Sequence, residues 1–135
     1  MNKHIIAYTD GGARGNPGPA GVGAVLYSED EKEKLAEISE YIGEATNNVA
    51  EYTALLMALQ KAQELGAETV HCLLDSELVV KQMNQEYKVR DEHLAKLFVR
   101  IWNLRQHFQN VSFEHIRREK NKEADKLAND AMDRK

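Results

Sequence analysis

Cysteine is all but missing from this chain of 135 residues, and that absence excludes a disulfide framework. Cys72 stands alone in the apolar run VHCLLD, where an ordinary buried thiol in a reducing cytoplasm is the expected reading. The N-terminus, MNKHIIAYTD, meets an acid after a short apolar-leaning stretch, so neither a secretory signal nor a membrane span is expected there. Both prolines, Pro17 and Pro19, and six of the eight glycines lie in one stretch between Gly11 and Gly23. Elsewhere there is no linker, internal repeat or low-complexity tract. His4, His71, His93, His107 and His115 are scattered without ligand spacing, and HExxH and CxxC are missing, which argues against a zinc enzyme. GGARGNPG is neither GxGxxG nor the direct start of a helix, so a dinucleotide cradle or P-loop is not expected. No GxSxG or other convincing nucleophile–base arrangement appears.

What is present describes one globular domain over residues 1–135, with 42% hydrophobic and 30% charged residues. The formal net charge of −4 is unevenly spread: residues 1–78 carry −8 and residues 79–135 carry +4. An acidic half beside a basic half suits a metal site facing a phosphate backbone, and equally suits solvated helix faces. Charge alone does not choose between them.

Periodicity predicts a strand over HIIAYTD (4–10), a Gly/Pro-rich turn, and strands at GVGAVLYS and KLAEISEYIG in an antiparallel meander. Thr46 is placed to cap a long helix whose inner face holds Ala50, Leu55, Leu59, Ala62 and Leu65, stopping at Gly66. ETVHCLLD reads as a central strand and SELVVKQMN as a short helix capped by Ser76. A further helix is expected from about Glu92 to Gln109, then a strand over VSFEHIRR and a terminal helix over NKEADKLANDAM. Met57, Met83 and Trp102 are read as core filling. This order implies an α/β fold with a five-stranded mixed sheet, three antiparallel strands then two helix-connected ones, flanked by helices.

Four carboxylates stand where an acid is locally awkward: Asp10, Glu51, Asp75 and Asp125. Each has a local explanation, as an acid opening a turn, assisting a cap or starting a helix. Glu51 resists it most, since it lies in line with Leu55, Ala58, Ala62 and Leu65, with no Lys or Arg spaced to pair with it. Together the four gather at one rim of the predicted sheet, where they repel unless a cation binds between them. Ligands that are all oxygen select Mg²⁺ or Mn²⁺ over Zn²⁺.

At YTDGG with its downstream Asn, TNNxxE opening a helix, a strand ending in DS, and NxxAD on the last helix, the chain resembles the ribonuclease H type 1 family. The resemblance spans nearly the whole sequence. It implies a ribonuclease H-like fold and an endoribonuclease that cuts the RNA strand of RNA–DNA hybrids, leaving 5′-phosphate and 3′-hydroxyl ends. It implies two Mg²⁺ ions (or Mn²⁺) held by Asp10, Glu51, Asp75 and Asp125, with Asp10 bridging. One ion would activate a water and the other would stabilise the leaving 3′ oxygen. By the same resemblance Gly11, Asn16, Asn47 and Asn48 face the minor groove of the hybrid, and Thr46 contacts a phosphate of the DNA strand. Turn and cap chemistry accounts for these five residues as well. Double-stranded RNA is a second candidate substrate, and a cytoplasmic monomer is expected.

Three departures narrow the resemblance to the branch without a basic extension. No such extension follows QMNQEYKVRD, which predicts weaker and more salt-sensitive hybrid binding. Glu77 occupies a position where better-known bacterial members often carry Gln. Their loop histidine has no clean match: His115 falls within the predicted strand, its imidazole in the core or on the opposite sheet face. Arg118 is therefore expected to act in its place, beside Arg117, Lys120 and Lys122, which otherwise form a solvated edge. Two rivals stay open, an idle nucleic-acid-binding module and a different metal-dependent phosphoryl-transfer enzyme.

Overall fold

A computed structural model describes residues 3–135. Strands β1 (His4–Ala13), β2 (Gly18–Ser28) and β3 (Lys34–Ala45) form an antiparallel meander. Helix α1 (Asn47–Glu64) leads to β4 (Thr69–Leu74), and helices α2 (Glu77–Met83) and α3 (Glu92–Arg105) lead to β5 (Asn110–His115). A 3-10 turn at Arg118–Lys120 precedes the last helix, α4 (Lys122–Asp133). The sheet order is β3-β2-β1-β4-β5, with β4 parallel to both β1 and β5, as the mixed-sheet reading expects.

Local chemistry sets the ends of the long helix. The Thr46 hydroxyl accepts from the Val49 N–H at 3.2 Å, and Gly66 takes φ +78° just beyond the end. Ser76 caps α2 in the same way, and Asp91 caps α3 by accepting from the His93 and Leu94 N–H groups. Buried Tyr52, Leu55, Leu59 and Ala62 of α1 join Val22, Leu26 and Cys72 of the sheet in the core. Burial raises the Cys72 thiol pKa well above its ordinary value, so this cysteine is inert packing. Ala124, Ala128, Ala131 and Met132 of α4 are also buried, and α4 packs along β1, β2 and β3.

Several boundaries differ from the sequence reading, two of them with consequences for the packing. β1 does not stop at Asp10 but continues through Ala13, with Gly11, Gly12 and Ala13 paired to Val22, Gly21 and Ala20. Gly11 serves close packing rather than a turn, as Gly23 of β2 does. A Cβ on Gly11 would lie 2.3 Å from the Ala50 carbonyl of α1, and one on Gly23 would lie 2.2 Å from the Ala124 carbonyl of α4. The turn itself is shorter and contains Gly15 at φ +91°. Helix α3 ends at Arg105, short of Gln109, because the chain must already turn for the Gln109 N–H to reach the Glu68 carbonyl at 2.7 Å and start β5. Among the described residues no helix is long and apolar enough to cross a membrane.

Candidate active site

Parallel pairing of β1 with β4 places Thr9 opposite Leu74, so Asp10 and Asp75, each one residue further on, stand side by side where β4 ends. Close approach of β1 to α1 at Gly11 then brings Glu51, one residue beyond Ala50, against the same rim. Asp10 is 7% exposed and Glu51 9%. Carboxylate oxygens of Asp10, Glu51 and Asp75 lie within 4.8 Å of one another. Asp125, on the first turn of α4, lies near enough to Asp10 for its charge to raise the Asp10 pKa. All four acids line one cleft of ≈ 400 Å³, together with Gly11, Asn47, Arg118 and Asn129.

The cluster is electrostatically unsatisfied. Burial, then the charges of Asp75 and Asp125, push the Asp10 pKa up to about 8. Burial and the neighbouring Asp10 and Asp75 carboxylates raise Glu51 well above the usual range, opposed by the Gly11 amide. Glu51 Oε2 is fully buried with no hydrogen-bond partner. Burial raises Asp75 too, while Asn121, Arg118 and His115 pull it back. A buried, partnerless carboxylate oxygen inside a set of repelling oxygens fits a hard divalent cation better than any side chain in the cleft. Arg118 does not fill that place: its Nη2 lies 3.9 Å from Asp125 Oδ1 and its side chain is 82% exposed.

A pH dependence follows for the metal-free protein. The folded-state pKa of Asp10 exceeds its ordinary value of 3.8, so between about 4 and about 8 the folded form binds more protons than the unfolded one. Stability is therefore full below that window and falls as pH rises through it, by at most about 1.4 kcal/mol per pH unit for each extra proton held. Thermal melts in chelator from pH 5 to pH 8 are expected to show a falling midpoint, with a shallower fall in Asp10→Asn. A midpoint that rises across this range contradicts the assignment.

Residues expected near the substrate form a bonded ridge beside the acids. The Asn47 N–H donates to Asn16 Oδ1 at 3.0 Å, and the Ala13 N–H donates to Asn47 Oδ1 at 2.8 Å. Thr46 caps the helix that carries them, Asn48 is exposed, and Gly11 is buried against α1. Arg14 in the turn reaches Asp133 of α4, tying the ridge to the last helix.

His115 requires correction. It does not lie in the core. β5 ends at His115, which pairs in register with Leu74, the residue before Asp75. The side chain is exposed and near enough to hold the Asp75 carboxyl pKa down. Arg117 and Arg118 fall outside the strand, with Arg118 opening the 3-10 turn.

Two asparagines at the site were missed. The Asn129 amide donates to the Asp125 carbonyl at 2.9 Å and lines the cleft one helical turn beyond that acid. Asn121, the first letter of NKEAD, is 1% exposed and donates to Asp75 Oδ2 at 3.3 Å. Its place in that motif was the available signal.

A protein-family model described as reverse transcriptase-like matches residues 8–131. The bifunctional protein Rv2228c of Mycobacterium tuberculosis is 48% identical over 129 residues, 96% of this chain but 35% of that protein. The chain thus spans about a third of the length of that mycobacterial relative. A crystal structure of RNase H1 from the archaeon Halobacterium salinarum superposes with a TM-score of 0.94 at 43% identity, covering 98% of this chain and 99% of that one. LC11-RNase H1, solved in complex with an RNA/DNA hybrid, gives a TM-score of 0.91 at 49% identity, covering 96% of this chain and 97% of the other. With the ordered motifs, the sheet order, the rim of acids and a direct α2–α3 connection through residues 84–91 all in agreement, the chain belongs to the ribonuclease H type 1 family, in the branch without the basic extension.

Proposed function

We propose that this chain is an endoribonuclease that hydrolyses the RNA strand of RNA–DNA hybrids, leaving 5′-phosphate and 3′-hydroxyl ends. The carrying observation is the oxygen cluster of Asp10, Glu51 and Asp75 together with the buried, partnerless Glu51 Oε2. Two Mg²⁺ ions, or Mn²⁺, held by these three acids and Asp125 would supply a water activated for attack and a positive charge beside the departing 3′ oxygen. Asp10, central to the set, is assigned to both ions. The bonded ridge of Asn16, Asn47 and Thr46, with Asn48 exposed beside it, is assigned to the hybrid backbone and minor groove. There short amides meet groove edges and ribose hydroxyls distinguish RNA from DNA. No protein nucleophile is assigned. Supporting this reading, LC11-RNase H1 was solved with a hybrid bound, and this chain shares its fold along nearly its whole length. The test is a gel assay with labelled hybrid, double-stranded RNA and DNA duplex in Mg²⁺ or Mn²⁺. Cutting of the hybrid is expected and an intact DNA duplex is required.

Arg118 is assigned to developing negative charge at the scissile phosphate or the departing product. It lines the cleft, ion-pairs at long range with Asp125 and has an exposed side chain free to move inward. Arg118→Ala is expected to slow single-turnover cleavage by about a hundredfold, the ~3 kcal/mol typical of a charge-stabilising group, with hybrid affinity changed much less. His115→Ala, removing a group beside Asp75 that does not line the cleft, is expected to slow the reaction by less. A larger loss for His115→Ala, with Arg118→Ala near wild type, would reverse the two assignments.

A further inference from the structure

Asn121 is the most deeply buried polar side chain at the rim after Thr9, and its bonds reach Asp75, the backbone of Asp125 and the residue before Asp10. Its Nδ2 donates one hydrogen to the Thr9 carbonyl, at 2.8 Å, immediately before Asp10. The other hydrogen goes to Asp75 Oδ2 at 3.3 Å. Its backbone carbonyl accepts from the Asp125 N–H at 3.0 Å, the first helical bond leading into that acid. Asn121 does not cap α4 with its side chain, although Asn commonly does so, and its Oδ1 is buried without a partner. The amide has given up the cap and left an acceptor unpaired in order to aim both donors at the strand ends, an arrangement with a free-energy cost.

Resting on the proposed metal-dependent reading, we propose that Asn121 is a positioning residue that sets the geometry of the cation site. It occupies one oxygen of Asp75, leaving the other for a cation, and fixes the start of α4 against β1 so that Asp125 meets Asp10. A hydroxyl at this position could replace at most one of the two donors, and a methyl could replace neither.

Buried Gln82 provides an internal control. It is a second amide with two bonds, accepting from the Tyr52 hydroxyl at 2.5 Å and donating to the Lys88 carbonyl at 3.1 Å, and it does not line the cleft of the acids. Mn²⁺ dissociation constants would be measured by electron paramagnetic resonance, without nucleic acid and well below the melting temperature. The proteins are wild type, Asn121→Ala, Asn121→Ser and Gln82→Ala, each checked for folding by circular dichroism. If Asn121→Ala fails to fold, the serine variant carries the comparison. Loss of a group that orients a metal ligand weakens binding by about 10–100-fold. The expected result is a loss of about tenfold or more in Mn²⁺ affinity for the Asn121 variants, while Gln82→Ala loses thermal stability but keeps wild-type affinity. Folded Asn121 variants that bind Mn²⁺ like wild type, or an equal loss in Gln82→Ala, would overturn the assignment of Asn121 alone. Wild-type protein that binds no Mn²⁺ would overturn the metal-dependent function itself, and this inference with it.

Discussion

Asp10→Asn is expected to reduce hybrid cleavage by at least about a thousandfold, equivalent to ~4 kcal/mol of lost transition-state stabilisation, while the fold is retained. Asparagine matches aspartate in shape, so contacts along β1 persist. What changes is the charge at the centre of the cluster, where Asp10 meets Glu51 and Asp75 within 4.8 Å and Asp125 approaches as well. A neutral amide cannot balance two divalent ions, which weakens the site where the substrate charge must be neutralised. The same substitution relieves repulsion when metal is absent. Asp10→Asn is therefore expected to melt at a higher temperature than wild type in chelator at pH 8, where the buried wild-type cluster is under most charge strain. Loss of activity with gain of metal-free stability is a combination that simple misfolding does not give. Near-normal activity in the variant contradicts the two-metal assignment.

Chelation is expected to have an effect of similar size. Excess EDTA should stop cleavage completely, Mg²⁺ or Mn²⁺ in excess of chelator should restore it, and Zn²⁺ should restore it poorly. The reason lies in the donors: Asp10, Glu51, Asp75 and Asp125 offer only carboxylate oxygens, and no histidine or cysteine lines their cleft. Mn²⁺ is also expected to raise the melting temperature, since an ion that binds only the folded form adds about 2.7 kcal/mol at a hundred times its dissociation constant. Cleavage that continues unchanged in excess chelator rules the mechanism out.

Glu51 shows how far the sequence carries the site. Its place in the apolar stripe of a helix started by Thr46 and stopped by Gly66 was legible from spacing alone, and so was its burial. The extent of β1 was not. Glycines at 11 and 12 signal a turn by local preference, but here both are paired in β1 and Gly11 admits the Ala50 carbonyl, a requirement set by a residue distant in sequence. His115 was misplaced for a related reason. Alternation assigns a strand residue to a face, but a residue at the strand's end escapes that rule. Pairing with Leu74 then carries it beside Asp75, a relation visible only once β4 and β5 are neighbours. Asn121 could be read as part of a motif, yet its two donors meet β1 and Asp75, and neither partner can be inferred from a sequence interval.

Strand and end chemistry on a single substrate test the central claim most directly. A hybrid labelled on both strands would be incubated with the protein in Mg²⁺ and its fragments resolved by size and terminal group. Internal cuts confined to the RNA strand are expected, with 5′-phosphate and 3′-hydroxyl ends, because in the proposed mechanism the attacking group would be a water at the acid cluster and not the neighbouring ribose hydroxyl. Cleavage of the DNA strand, or RNA fragments ending in 2′,3′-cyclic phosphate, would contradict it.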